Sequence, residues 1–421
     1  MPSIHELAGQ IICPVLPPTA AAAAAPLLAD LQQQGWGGYI VFRGRPDLPE
    51  LLSLLQAESP HPLLIASDIE AGAGQQLWNA TRLPYNMAFG AIGSEDVAYE
   101  AGRLTAQEAR AQGVNWAFAP VVDVNNNPDN PIVNIRSFGE DPEEVSRLAA
   151  AWVRGAQEHG LLATAKHFPG HGRTTIDSHL HLPTVTATLA QLSAVELAPF
   201  RACIAADVGA IMTAHLAVPA LDPSGSPATL SHTIMTTLLR EELNFHGLIV
   251  TDALIMGGIT DSYSEEAAVA AAINAGCDVL LMPRDPKLAK ALICQAVDAG
   301  KIPEARLREA VERIRKARRH LGLERDRLPR KLTPEDRMDQ RAFASKVAQQ
   351  SLTLVHGERY LPLPDEVFVM VVDDGLEVHA ALLQELAERK KSWAVARPGM
   401  PEQQIRDLSE KASTAAAVVV A

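Results

Sequence analysis

LLATAKHFPGHGRTTIDSHLHLP, residues 161–183, changes character part-way along. It opens as a short aliphatic run, LLATA (161–165), and then turns into Lys166-His167 and a polar segment broken by Pro169, Gly170, Gly172 and Pro183. A near-continuous apolar run is what a parallel strand needs when both its faces are covered. A long polar loop directly behind such a strand is where α/β folds carry function.

Seven further runs have the same form: QIIC (10–13), YIVF (39–42), LLIAS (63–67), WAFAP (116–120), AIMTA (210–214), LIVT (248–251) and DVLLM (278–282). Helical segments lie between them. Asp141-Pro142-Glu143-Glu144 offers an N-cap, a proline at the first helical position and a capping-box glutamate at Glu144, with Gly160 as the stop. Ser94 and Gly113 bracket another helix, and the alanines at 20–25 read as the start of the first one. Eight strands alternating with helices predict an α/β fold of the (β/α)8 TIM-type barrel class.

Past Leu321 the composition shifts. ERDRLPRKLTPEDRMDQR (324–341) is charged and poor in aliphatics and reads as a linker, so that 1–323 is expected to be the barrel. Residues 342–421 follow as a partial open α/β sheet domain, with a helix near 342–351 and strands at SLTLV (351–355), EVFVMVVDD (366–374), WAVA (393–396) and AAAVVVA (415–421). A sheet ending on an apolar strand with no covering helix reads as incomplete.

The chain has 421 residues, 47% of them apolar and 21% charged, which is ample for a large core. Its net charge of −13 disfavours nucleic acid or an anionic membrane as partner. The start, MPSIHELAGQIICP, lacks the basic and apolar regions of a secretory signal, and no run approaches a membrane span. Cys13, Cys203, Cys277 and Cys294 are widely spaced within apolar stretches, as expected of reduced buried thiols in a cytoplasmic protein. Oligomeric state is not legible.

Barrel enzymes place reacting groups at the C-terminal ends of their strands. Here those ends carry Asp68 and Glu70, Asp123 and later Arg136, Lys166-His167, His215 and Asp252. Asp177-Ser178-His179 puts a carboxylate two residues before an imidazole, suited to orient it and favour its protonated form as a general acid. His171 and His181 read as loop-shaping. Three chemistries fit these residues. One is glycoside hydrolysis with Asp252 as nucleophile. The second is metal-dependent hydrolysis using the His179-Leu180-His181 pair, which the fixed cations Lys166 and Arg136 disfavour. The third is a barrel that only binds sugar.

KHFPGHG (166–172) followed by DSH (177–179) and LIVTDALIMGGI (248–259) resembles the β-N-acetylhexosaminidases of glycoside hydrolase family 3. SDIEAG (67–72), APVVDVNNNP (119–128), RSFGEDP (136–142) and MTAHLAVPALD (212–222) extend the likeness in order, and ASKVAQQSLTLVHG (344–357) resembles the opening of the family's second domain. The resemblance implies a retaining, exo-acting enzyme that needs neither metal nor cofactor. In it Asp252 is the nucleophile, His179 the acid/base tuned by Asp177, and Asp68, Arg136, Lys166 and His167 hold the non-reducing sugar. Lys166 and Arg136 are expected to lower the pKa of Asp252. The implied substrate is a small oligosaccharide or muropeptide, which would suit cell-wall recycling. A β-glucosidase or N-acetylglucosaminide phosphorylase of the same family is the alternative. Two positions depart from the family: DIEAG stands where DQEGG is usual, and Gln76 lies near where a sugar-binding arginine is usual.

Overall fold

The computed structural model describes residues 2–328, 332–353, 367–372, 392–396, 401, 403–407 and 417–420. Eight short parallel strands lie where the apolar runs predict them: β1 (Ile12–Cys13), β2 (Gly38–Ile40), β3 (Leu64–Ser67), β4 (Trp116–Ala117), β5 (Thr164–Phe168), β6 (Ala210–Thr213), β7 (Leu248–Val250) and β8 (Leu280–Leu281). Every residue in them is buried, which explains why their sequences do not alternate.

Ladders join β2–β3–β4 and β5–β6–β7, and β1 pairs with β8 through Ile12↔Leu280 and Cys13↔Leu281. Single bridges supply the remaining neighbours: Val15↔Ile40 between the β1 and β2 segments, Trp116↔Leu162 and Val121↔Lys166 between β4 and β5, and Val250↔Val279 between β7 and β8. The arrangement is a TIM-barrel-like α/β fold with parallel sheets.

The helices Glu95–Ala111 and Pro142–Glu158 pack tightly because each offers a glycine to the other's backbone. A Cβ on Gly102 would stand 2.2 Å from the Trp152 carbonyl, and one on Gly155 would stand 2.0 Å from that of Tyr99. This pair precedes β4 and β5, so the contact helps to set β5, which carries Lys166, and β4, behind which Asp123 lies.

Local expectations differ from the structure at four places. Asp141 caps its helix through the Glu143 N–H, but Glu144 does not complete a capping box; it pairs instead with Arg147. The alanine run forms a short 3₁₀ turn, Ala21–Ala23, before the helix begins at Ala25 with Pro26 in its first turn. The first compact unit is Met1–Leu352, so it runs through the expected linker 324–341 and past the expected second-domain start at 342. Its final helix, Pro334–Gln350, buries Gln340 and Val347 completely. Of the expected strand 351–355, Ser351–Thr353 are not extended in a sheet, and the remainder lies outside the described residues.

The second unit, Thr353–Ala421, contains a parallel sheet of β9 (Val367–Val372), β10 (Ser392–Ala396) and β11 (Ala417–Val420) in the order β10-β9-β11. No helix among the described residues is long and apolar enough to cross a membrane.

Val347 is fully buried and Phe343 packs against the core, and burying such side chains stabilises by about 1.5–3 kcal/mol each. A chain ending at Leu352 is therefore expected to unfold at a higher urea midpoint than one ending at Leu328, by about 2–4 kcal/mol in extrapolated stability. Equal midpoints would show that the helix Pro334–Gln350 adds nothing to the first unit.

Candidate active site

All eight strands run parallel, so the groups behind their C-terminal ends share one face. Asp68 follows β3, Lys166 and His167 sit within β5, and Asp252 lies two residues beyond β7. Arg136 closes the short helical turn Asn134–Arg136 on the loop after β4.

The centre of the face is a carboxylate that the sequence reading gave no role. Glu70 is 6% exposed and accepts two parallel hydrogen bonds from Arg136, from Nε and Nη2, both at 2.8 Å. Lys166 Nζ reaches the same carboxylate at 2.6 Å and donates to Asp68 Oδ1 at 2.9 Å. Burial pushes the Glu70 carboxyl up, but the two cations outweigh it and hold the group well below the ordinary carboxylate range. Burial likewise opposes the charge on Lys166, and Asp68 and Glu70 reverse that, so its ammonium is raised. Lys166 has spent two of its three donors and Arg136 three of its five, since Arg136 Nη1 also donates to the Ile132 carbonyl. Each keeps donors for a ligand.

Asp123 plays the same part for His167. It is fully buried and accepts from His167 Nδ1 at 2.7 Å, from the His167 N–H at 3.2 Å and from the His171 N–H at 2.7 Å. Nδ1 is thereby fixed as the donor, which frees Nε2 for a ligand.

Asp252 is bonded through Oδ1 to the Ala253 N–H at 2.8 Å. Burial raises its pKa, but nearby His215, His167 and Lys166, with the Ala253 N–H, bring it below its ordinary value. The sequence expectation named Lys166 and Arg136 for this effect. His215 acts first, and Arg136 is occupied by Glu70. The His215 ring is fully buried; Nε2 donates to the Ala253 carbonyl at 3.0 Å, and Nδ1 meets Thr229 Oγ1 at 2.7 Å.

Asp177 and His179 meet as their spacing suggests. Asp177 Oδ1 accepts from His179 Nδ1 at 2.7 Å and from the His179 N–H at 2.8 Å. Burial raises the Asp177 carboxyl, these bonds outweigh it, and its pKa is lowered. The His179 side chain is 60% exposed, unlike the rest of the site. Its backbone is nonetheless tied to the Asp252 loop. Gly257 N–H donates to the His179 carbonyl at 2.9 Å, and Gly258 N–H to that of Ser178 at 3.1 Å.

The loop is shaped from below by His171, whose ring bridges Thr174 and Ser178, and by Asn130, which donates to the His171 carbonyl at 2.8 Å. Gly172 has no alternative there: a Cβ would stand 1.7 Å from the Val124 carbonyl. His181 pairs with Asp261 at 3.0 Å, so the two rings of the His179-Leu180-His181 pair are held by different carboxylates. Gln76 turns to the backbone, accepting from the Arg43 N–H at 3.1 Å. Cavities of about 590 and 390 Å³ contain none of the site residues, so charge and convergence mark the site, not cavity size.

Residues 18–317 match the model of the glycosyl hydrolase family 3 N-terminal domain. The chain is 36% identical over 340 residues to β-hexosaminidase A of Pseudoalteromonas piscicida, covering 75% of this chain and 57% of that protein. It is 36% identical over 342 residues to the β-N-acetylglucosaminidase/β-glucosidase of Cellulomonas fimi, covering 77% and 60%. The chain thus spans less than two thirds of the length of either relative. Among solved structures it is similar to a family 3 β-N-acetylglucosaminidase from Paenibacillus sp. strain FPU-7, with a TM-score of 0.90, 32% identity, and coverage of 100% of this chain and 84% of that one.

The Glu70 network yields a stability test. Replacing Glu70 by Gln leaves two buried cations under-compensated, and breaking such a pair costs about 3–5 kcal/mol. The folded pKa of Glu70 lies below the unfolded value of about 4.3. Its contribution is therefore complete above that value and is lost as pH falls toward the folded one. The variant should melt well below the parent at pH 7, with the gap narrowing below about pH 4. A constant gap across that range would contradict the assignment.

Proposed function

The chain belongs to glycoside hydrolase family 3, and from that premise we propose that it is a retaining, exo-acting β-N-acetylhexosaminidase that releases N-acetylglucosamine from non-reducing ends. The succession of ladders and bridges from β1 to β8 and back supports reading the catalytic unit as a closed (β/α)8 barrel. The observation that carries the functional reading is the Asp177–His179 pair, tied through its backbone to the loop that begins at Asp252.

In the first step the ionised Asp252 attacks the anomeric carbon, and the bond from that carbon to the leaving oxygen breaks. His179 supplies the proton to that oxygen. Its Nδ1–H is held by Asp177, so Nε2 exchanges the proton, and the carboxylate steadies the imidazolium. In the second step the neutral imidazole takes a proton from water, the hydroxide attacks the anomeric carbon, and the ester to Asp252 breaks.

Lys166, Arg136, His167 and Asp68 hold the sugar's hydroxyls with their remaining donors and acceptors. Glu70 and Asp123 are positioning residues acting through them. A small oligosaccharide or muropeptide fragment is the substrate class that fits, with phosphate in place of water as the alternative acceptor. The comparison to make is turnover of p-nitrophenyl N-acetyl-β-glucosaminide against the plain glucoside, with and without phosphate and with EDTA. The N-acetyl compound should be preferred, with turnover unaffected by chelator; preference for the plain glucoside would overturn the substrate assignment.

The two catalytic roles separate by leaving group. His179→Ala should slow glycosylation by a factor of about 10² to 10⁴ for a poor leaving group, and far less for dinitrophenolate, which departs without a proton. Asp252→Ala should abolish turnover for both. Equal slowing of all leaving groups by His179→Ala would make the imidazole a positioning residue.

A further inference from the structure

The face opposite Asp252 carries charge that the glycoside site does not use. A cavity of about 590 Å³ opens beside the N-terminal ends of β1, β2 and β3. Its walls include Arg315 and Arg318 from the helix Glu304–His320, Arg327 from the segment after it, and His61 from the turn into β3.

Arg318 is 2% exposed, and among the described residues its guanidinium donates only to neutral acceptors: Gln10 Oε1 at 3.0 Å and the Gly37 carbonyl at 3.1 Å. Its buried Nε meets no partner among the described residues. Arg327 likewise donates to the carbonyls of Gln56 and Ser59, at 3.2 and 3.3 Å. Among the described residues neither pairs with a carboxylate, and Arg315 has only Glu312, at 4.0 Å.

The same helix shows the ordinary solution a short way along. Arg306 and Arg313 converge with Arg240 on the buried Asp278, at 2.7, 3.1 and 2.5 Å. Of the acids lining the cavity, Glu6 is committed to Ser3 as a helix cap and Glu324 is exposed. Burial first, and then Arg315 and Arg327, push the Arg318 guanidinium down to about 9, while burial and the three arginines push His61 down to about 3. A chain of net charge −13 thus holds three mutually repelling arginines around one cavity.

We propose that this cavity is a second ligand site, for a small phosphate ester bearing hydroxyl groups, of the hexose-phosphate class. Guanidinium groups match phosphate oxygens in geometry as well as charge. Gln33, with the amide groups that Gln32 and Gln34 keep beyond their bonds to Glu58 and Lys290, lines the same wall and offers donors and acceptors suited to neutral hydroxyls. The volume lies within the range of small-molecule sites and exceeds what a bare phosphate fills. The partly unmet Arg318 is neutralised when the ester binds. The site is separate from Asp252, so binding is measurable without turnover, and failure here leaves the glycosidase reading untouched.

The test is calorimetric titration of the full chain, at low ionic strength, with glucose 6-phosphate, inorganic phosphate and glucose. The ester should bind with one-to-one stoichiometry, more tightly than inorganic phosphate, and glucose should not bind. Arg315 and Arg327 are half-buried, and replacing both by Gln should weaken the ester about tenfold or more while leaving glycosidase turnover intact. Asp252→Ala should bind the ester as the parent does. Hydrogen–deuterium exchange on the unaltered chain gives a readout that no folding defect can obscure: the ester should slow exchange in residues 32–37 and 315–327. Three results would overturn the proposal: no ester binding at millimolar concentration, equal affinity in the well-folded double variant, or loss of binding in Asp252→Ala. Inorganic phosphate binding as tightly as the ester would overturn the hydroxyl-reading part.

Discussion

A buried carboxylate between two cations sets the geometry of the face that carries Asp252. Glu70 takes a two-pronged bond from Arg136 and a contact from Lys166, and it is nearly inaccessible to water. In that setting each ionised group is tolerable only because the others are present. Lys166 also meets Asp68, so one network fixes three of the four groups expected to hold the sugar. Asp123 fixes the fourth, His167. Among the described residues, Asp68, Glu70, Asp123 and Asp252 face two fixed cations, Lys166 and Arg136. That excess of negative charge suits a reaction whose transition state develops positive charge at the sugar ring.

The strands were legible in the sequence because their physics is local. A strand buried on both faces must be apolar throughout, and LLATA, AIMTA and LIVT announce it without reference to anything else in the chain. The Asp177–His179 contact was legible for the same reason, since two residues of spacing and a turn suffice to close it. Glu70 and Asp123 were visible as charges at strand ends, but their roles were not. Glu70 meets Arg136 across 66 residues and Asp123 meets His167 across 44, and only the fold brings them together. His215 was hidden in a different way. A histidine after an apolar strand gives no sign that its ring will be enclosed between Thr229 and the Ala253 carbonyl, close to Asp252.

The stretch around residues 324–341 reads as a linker in the sequence because the helix Pro334–Gln350 is mostly polar and presents few apolar residues to the core. Val347 and the partly buried Phe343 and Ala344 carry its attachment, and against the surrounding charged residues their pattern is too sparse to stand out from a linker. Strand polarity then divides the first unit. The ends that carry Asp252, Lys166 and His167 hold excess acid, and the opposite ends, beside β1, β2 and β3, carry Arg318 and Arg327, which meet no carboxylate among the described residues.

The proposed chemistry requires a bond between Asp252 and the sugar, and peptide mass mapping reads that bond directly. His179→Ala, incubated with 2,4-dinitrophenyl N-acetyl-β-glucosaminide and quenched in acid, should accumulate the intermediate, because the first step needs no acid and the second lacks its base. One N-acetylglucosaminyl ester is expected, on the peptide containing Asp252. Steady release of dinitrophenolate with no adduct, or an adduct on another carboxylate such as Asp68, would contradict it.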